Sequence, residues 1–166
     1  MKKILQVVMI GFLLMMNIHI TPTQSASVNV EVKTWKELKA ALEQSQDRNI
    51  HVSEGVIIYH EYDATTQLMD DYQIEVRGNK HLKIDGSVTF KNSVDSNTGL
   101  ICLWNEDANL TLSGSGRIEY ALNHYISGTS IYLEESTLFH LGGGHLTIED
   151  DINVIGIGGI SATITA

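Results

Sequence analysis

Residues 100–119 read LICLWNEDANLTLSGSGRIE, and this stretch decides the fold. Leu100 to Trp104 is a short apolar strand, and Asn105-Glu106-Asp107 is a polar corner. Asn109-Leu110-Thr111-Leu112 then alternates with period two, Ser113-Gly114 turns the chain, and Gly116-Arg117-Ile118-Glu119 opens a third strand. The same unit occurs upstream as Ile74-Glu75-Val76, the corner Gly78-Asn79, His81-Leu82-Lys83-Ile84-Asp85-Gly86, and Val88-Thr89-Phe90. It occurs downstream as Thr137 to Leu141, the corner Gly142-Gly143-Gly144, His145-Leu146-Thr147-Ile148-Glu149-Asp150, and Ile152-Asn153-Val154. Aligning the Leu-x-(Ile/Leu) cores places Leu82, Leu110 and Leu146 at equivalent positions, with the second step longer than the first. His81, Asn109 and His145 then share one place in the repeat, which suits corner-capping hydrogen bonds better than metal ligation. A strand-corner-strand-corner-strand unit recurring every roughly 20–40 residues predicts an all-β solenoid in which each turn pairs with its neighbours. The unequal steps place an insertion at residues 120–136 (YALNHYISGTSIYLEES), expected to protrude as a loop. Leu-x-Ile is common in strands of any kind, so an antiparallel sandwich is the alternative.

Ahead of the repeats, Thr34 to Glu43 (TWKELKAALE) predicts a helix. Thr34 and Glu37 have the spacing of a capping box, and Trp35, Leu38, Ala41 and Leu42 fall on one stripe. Ile50-His51-Val52 and Val56 to Tyr59 read as strands around a Ser53-Glu54-Gly55 turn, and residues 60–73 read as loop.

The 166 residues are 43% hydrophobic and 19% charged, which suits one folded domain and excludes disorder. Eleven basic residues face twenty acidic ones. Lys2 and Lys3 belong to a leader: a positive start, the uncharged run Ile4 to Met16, and the small residues Thr21 to Ser27. That run is shorter than the roughly 20 residues needed to span a bilayer, so residues 1–27 read as a secretory signal peptide. Cleavage is expected after Ser27, with Ser25 as the second choice. Residues 28–166 would form the domain, extracellular or at the cell surface, with no membrane span after cleavage. Its acidity argues against binding nucleic acid. Cys102, the one cysteine, precludes an internal disulfide and reads as packed within its strand.

Taken together, TWKELKAAL, GNKHLKIDG and STLFHLGGGHLTIEDDINVIG resemble the N-terminal part of right-handed parallel β-helix domains. More closely, the chain is similar to the pectate-lyase-like adhesive domains of Gram-positive bacterial surface proteins, over about residues 30–160. The resemblance implies a right-handed parallel β-helix of about three to four coils, capped by the N-terminal amphipathic helix. It also implies a role in adhesion, with a host or cell-surface carbohydrate or protein as partner. Residues 152–166 (INVIGIGGISATITA) carry no charge and stop in mid-pattern, so further coils or a second chain are expected at that edge.

Chemistry is harder to find. The lyases of this fold need a basic residue with a cation beside the substrate carboxylate, and the hydrolases need paired carboxylates. Neither constellation is recognisable. Arg117 reads as a solvated or ion-paired strand residue, and Asp70-Asp71 and Asp150-Asp151 as turn formers. Neither a calcium loop nor zinc spacing is present, and no cofactor is expected. Tyr120, His124, Tyr125 and Tyr132 in the insertion are the candidate ligand-contacting residues, because exposed aromatic rings stack on sugar faces. Packing of these rings onto the wall of the domain is the competing assignment. The expected function is therefore a non-catalytic surface-interaction module. The alternative is the N-terminal piece of a polysaccharide lyase or glycoside hydrolase whose catalytic coils lie elsewhere.

Overall fold

The computed structural model describes residues 27–62, 73–92, 100–122, 126–127, 130–131, 138–157 and 164–165. Residues 1–26 of the leader lie outside them. Among the described residues, no helix is long and apolar enough to cross a membrane. The chain is mostly β, with strands β1 (Val28–Glu31), β2 (Arg48–Val52), β3 (Ile57–Tyr62), β4 (Ile74–Glu75), β5 (Asn79–Ile84), β6 (Ser87–Asn92), β7 (Ile101–Leu103) and β8 (Asn109–Ser113). It continues through β9 (Arg117–Leu122), β10 (Ile126–Ser127), β11 (Ser130–Ile131), β12 (Phe139–Leu141), β13 (His145–Ile148), β14 (Asn153–Ile157) and β15 (Ile164–Thr165). The helix α1 (Trp35–Glu43) lies between β1 and β2. β3 extends through Glu61 and Tyr62, into the segment read as loop.

The strands sort into a five-stranded sheet, β1-β2-β5-β8-β13, and two four-stranded sheets, β3-β6-β9-β14 and β4-β7-β12-β15. From β2 onward the chain visits the three sheets in turn and returns to each one strand further along. Every ladder in these sheets is parallel, and among the described residues only the small β10-β11 ribbon is antiparallel. Parallel pairing between strands so far apart in the chain is incompatible with the sandwich alternative.

Period-two alternation turns one set of apolar side chains inward. Ile58, Val88 and Ile118 stand in register in the second sheet, as do Ile74, Ile101 and Phe139 in the third. These join Ile50, Val52, Leu82, Ile84, Leu110 and Leu112 of the first sheet in one buried core. The helix forms as expected, with Glu37 N donating to Thr34 Oγ1 (3.3 Å) and Thr34 N donating to Glu37 Oε2 (3.1 Å). Leu38, Ala41 and Leu42 are buried, and the helix packs against β2, β3 and β4, one strand from each sheet. Trp35 stacks on the His60 ring at 4.1 Å and meets Phe90 edge-on at 5.3 Å.

The register corrects the alignment made from sequence. Leu82 pairs with Leu112, not Leu110. Asn109 faces Asn79 and His145 faces Asn109, whereas His81 faces Thr111. His81 therefore does not share a place with Asn109 and His145. A shift of two positions keeps every side chain on its own face, so the apolar pattern cannot distinguish the two registers. Polar and corner contacts do: Asn109 Nδ2 donates to Asn79 Oδ1 (3.0 Å), and Gly116 packs on Gly86, where an added Cβ would stand 2.2 Å from the Gly86 oxygen.

The same inward parity buries a lysine. Lys80, 2% exposed, lies on the core side of β5 with Leu82 and Ile84. Its ammonium donates to the carbonyls of Gln46 (2.9 Å) and Arg77, pinning the loop after α1 to the corner before β5. Desolvation lowers its pKa from the usual 10.5, opposed by nearby Asp47. Lys80→Met should fill the volume yet leave both carbonyls without their partner. Chemical denaturation should show a loss of about 1–3 kcal/mol, the cost of stranding buried acceptors; an unchanged or increased stability would refute the pinning role.

Candidate functional site

The outer face of the five-stranded sheet carries an ordered array of polar side chains, because the residues opposite in parity to the core point to solvent. One row runs Asn29, Asn49, His81, Thr111 and Thr147 across β1, β2, β5, β8 and β13. A second row runs Glu31, His51 and Lys83 and ends at Ser113, which is buried. Hydrogen bonds fix these rows. Asn49 Nδ2 donates to Asn29 Oδ1 (2.8 Å) and to Ser27 Oγ (3.0 Å), and His81 Nε2 and Ser113 Oγ share a bond of 2.7 Å. Asn79 donates through its backbone N and its Nδ2 to Asp47 Oδ1, each at 3.0 Å.

His51 is the centre of the second row. Its Nδ1 lies 2.7 Å from Glu31 Oε1 and its Nε2 lies 2.9 Å from Asp85 Oδ2. Two carboxylates accept from both nitrogens only when the ring is the imidazolium cation. The bond to Asp85 accordingly raises the His51 pKa above 6.5, helped by Glu31 and opposed by partial burial. Asp85 is held down at about 2, first by His51 and then by Lys83, 3.1 Å away, and the Ser115 backbone N, at 3.2 Å. Glu31 is also lowered, chiefly by Ser53 Oγ donating to its Oε2 at 2.7 Å. One chain of charged hydrogen bonds thus ties β1, β2 and the corner after β5 to the corner after β8. Both carboxylates favour the imidazolium form, and both ring nitrogens are engaged by them, so this cluster positions charge.

Two open depressions mark this face. One, of ≈ 490 Å³, is lined by Asn29, Glu31, Asn49, His51, His81 and Lys83 among others. Its neighbour, of ≈ 240 Å³, includes Ser27, Asp47, Asn79, Asn109 and Thr111. Among the described residues, no three His, Cys, Asp or Glu side chains converge to hold a metal ion.

The residues expected to touch a ligand lie elsewhere. Tyr120 is not an exposed ring: it is 1% exposed, on the inner side of β9 beside Ile118 and in register with Phe90. The strand continues into residues read as loop, and parity turns Tyr120 into the core. His124, Tyr125 and Tyr132 lie outside the described residues, as do Asp70 and Asp71. Arg117 is exposed and pairs with Glu119 at 3.2 Å, in keeping with an ion-paired strand residue. Asp150 occupies a corner with φ +58°, accepting from Gly114 N at 3.4 Å. Cys102 is fully buried, and desolvation pushes its thiol up to about 11. Sequence reasoning missed the Glu31–His51–Asp85 chain. The signal for it is the outward parity of Glu31 and His51, but the partners of His51 come from 20 and 34 residues away.

The cluster gives stability two pH limits. A raised His51 pKa stabilises fully below the unfolded value of 6.5 and loses that contribution as pH rises through the folded value. A depressed Asp85 pKa stabilises above 3.8 and loses its contribution as pH falls toward 2. His51→Gln should cost roughly 1 kcal/mol near pH 5.5 and much less at pH 9, measured by thermal melts against wild type. A penalty independent of pH would show that the ring packs without carrying charge.

Compared with known proteins, the chain matches no family model, no curated protein and no solved structure.

Proposed function

We propose that the chain is a right-handed parallel β-helix of about three to four coils with α1 as its lid, and that it serves outside the cell as a non-catalytic module binding an extended polyhydroxylated ligand. The circuit through three parallel sheets supports the fold reading, as does the packing of α1 across β2, β3 and β4. An uncovered end of such a stack would expose core side chains, which gives the apolar stripe of α1 its task. The pectate-lyase-like adhesive domains remain the family that this reading favours.

The observation that carries the function is the row Asn29, Asn49, His81, Thr111, with Asn79 and Asn109 beside it, on a wide and open surface. Side-chain amides, imidazoles and hydroxyls offer donors and acceptors at the spacing of successive strands, about 4.8 Å. A polysaccharide presents hydroxyls along a chain in a comparable fashion, and the depressions are too open to enclose a small metabolite. Parallel rows at fixed spacing also suit binding of modest strength repeated over many sugar units.

Isothermal titration of the mature chain with a panel of soluble polysaccharides tests this. At least one should bind, and Asn49→Ala with His81→Ala should weaken it about tenfold or more while the circular dichroism spectrum stays that of the wild type. Absence of binding across the panel, or turnover of polygalacturonate with Ca²⁺ to unsaturated products, would overturn the reading; turnover would instead favour the lyase fragment.

A further inference from the structure

A second feature lies at a different corner, between the third sheet and the first. Trp104 follows β7 directly and is 40% exposed, a large apolar ring left open to solvent. Its neighbours explain how it is held. In the next layer the chain passes through Gly142 and Gly143, and a Cβ added to Gly142 would stand 2.7 Å from Trp104 Cε3. The backbone is close there too, with Gly142 N and Gly144 N donating to the Leu103 oxygen at 3.0 and 3.1 Å. The His140 ring lies 4.4 Å from the indole, tilted by 47°. Glycine at position 142 therefore lets the indole lie against bare main chain, and His140 braces it from β12.

The corner that follows the ring in the chain is polar. Asn105, Glu106 and Asp107 are exposed and form the corner, closed by Ala108 N donating to the Asn105 oxygen at 2.9 Å. Gly143 lies against the Trp104 oxygen and is itself exposed. A braced, partly open indole beside short carboxylate and amide side chains combines an apolar plate with hydrogen-bonding groups. Burying an indole face against an apolar partner is favourable, and the ring is already ordered, so little side-chain entropy is lost on binding.

We infer that Trp104 is a stacking platform for a neutral pyranose ring, with Asn105, Glu106 and Asp107 placed to engage its hydroxyls. The carboxylates of Glu106 and Asp107 set the ligand class, since they repel a uronate or sulphated sugar and accept hydrogen bonds from a neutral one. The platform is separate from the polar rows of the first sheet and stands or falls independently of them. It extends the carbohydrate reading to a second contact point, at the corner that leads into β8.

The chain contains two tryptophans, and Trp35 lies in the stack with His60 and Phe90, so emission reports Trp104 with an internal control. Cellohexaose and hexagalacturonate serve as neutral and acidic probes in fluorescence titration and calorimetry of the full chain. Cellohexaose should give a saturable change in emission that is absent in Trp104→Phe, and its affinity should fall at least about tenfold in Trp104→Ala. Gly142→Ala, whose added methyl meets the indole, should weaken binding similarly with the circular dichroism spectrum unchanged. Hexagalacturonate should bind at least about tenfold more weakly than cellohexaose at low salt, a gap that narrows as salt screens the carboxylates. No saturable change with cellohexaose, or equal affinity in wild type and Trp104→Ala, would overturn the platform. Binding lost in Asn49→Ala with His81→Ala yet kept in Trp104→Ala would do so while leaving the first-sheet site intact.

Discussion

Strands of successive layers can pair only where the backbone at the corners approaches to ladder distance. Gly114 and Gly116 mark the tightest place: Cβ atoms there would stand 2.3 Å from the Ile84 oxygen and 2.2 Å from the Gly86 oxygen. Gly114 also has φ +105°, a conformation that L side chains rarely adopt. With the corner closed, β5 meets β8 in the first sheet and β6 meets β9 in the second, and the two ladders keep one common offset. The core rows, the outward polar rows and the hydrogen bonds between these layers follow from that approach.

Polar groups then complete what the apolar rows leave undetermined. Asp85 accepts from His51 in the layer before and from Ser115 in the layer after, so one side chain spans three layers at the corner. Lys80 does the corresponding work from inside, satisfying main-chain oxygens that the core could not. Both lie on β5 or at its end. That strand is central in its sheet, with β1 and β2 on one side and β8 and β13 on the other. The fold is therefore tied together most densely around β5, and the candidate binding rows lie over the same strand.

Much of this architecture was legible in residues 34–43 and in the repeated strand pairs. The Thr34–Glu37 capping box and the Leu38, Ala41, Leu42 stripe are local signals, complete within one helix, and the structure has them as read. Strand parity was also legible: Arg117-Ile118-Glu119-Tyr120 alternates, and following it to its end would have placed Tyr120 inside. The same rule would have buried Lys80 with Leu82 and Ile84. What parity could not supply was the register between β5 and β8, because Leu82 fits beside Leu110 or Leu112 equally well. The His51 chain depended on that missing information, since its carboxylates come from other layers. The setting of Trp104 is not legible in its neighbours along the chain, because the indole lies against Gly142 and His140, which come from a later stretch of sequence.

The ambiguity of register between β5 and β8 also has a kinetic side. A folding chain can bury the same leucines either way, so hydrophobic collapse alone admits a slipped arrangement close in energy to the correct one. Asn79 with Asn109, and Gly86 beneath Gly116, act only once the strands lie side by side, and so they discriminate late. These few contacts single out the native register from one slipped by two residues, a choice that the buried leucines leave open.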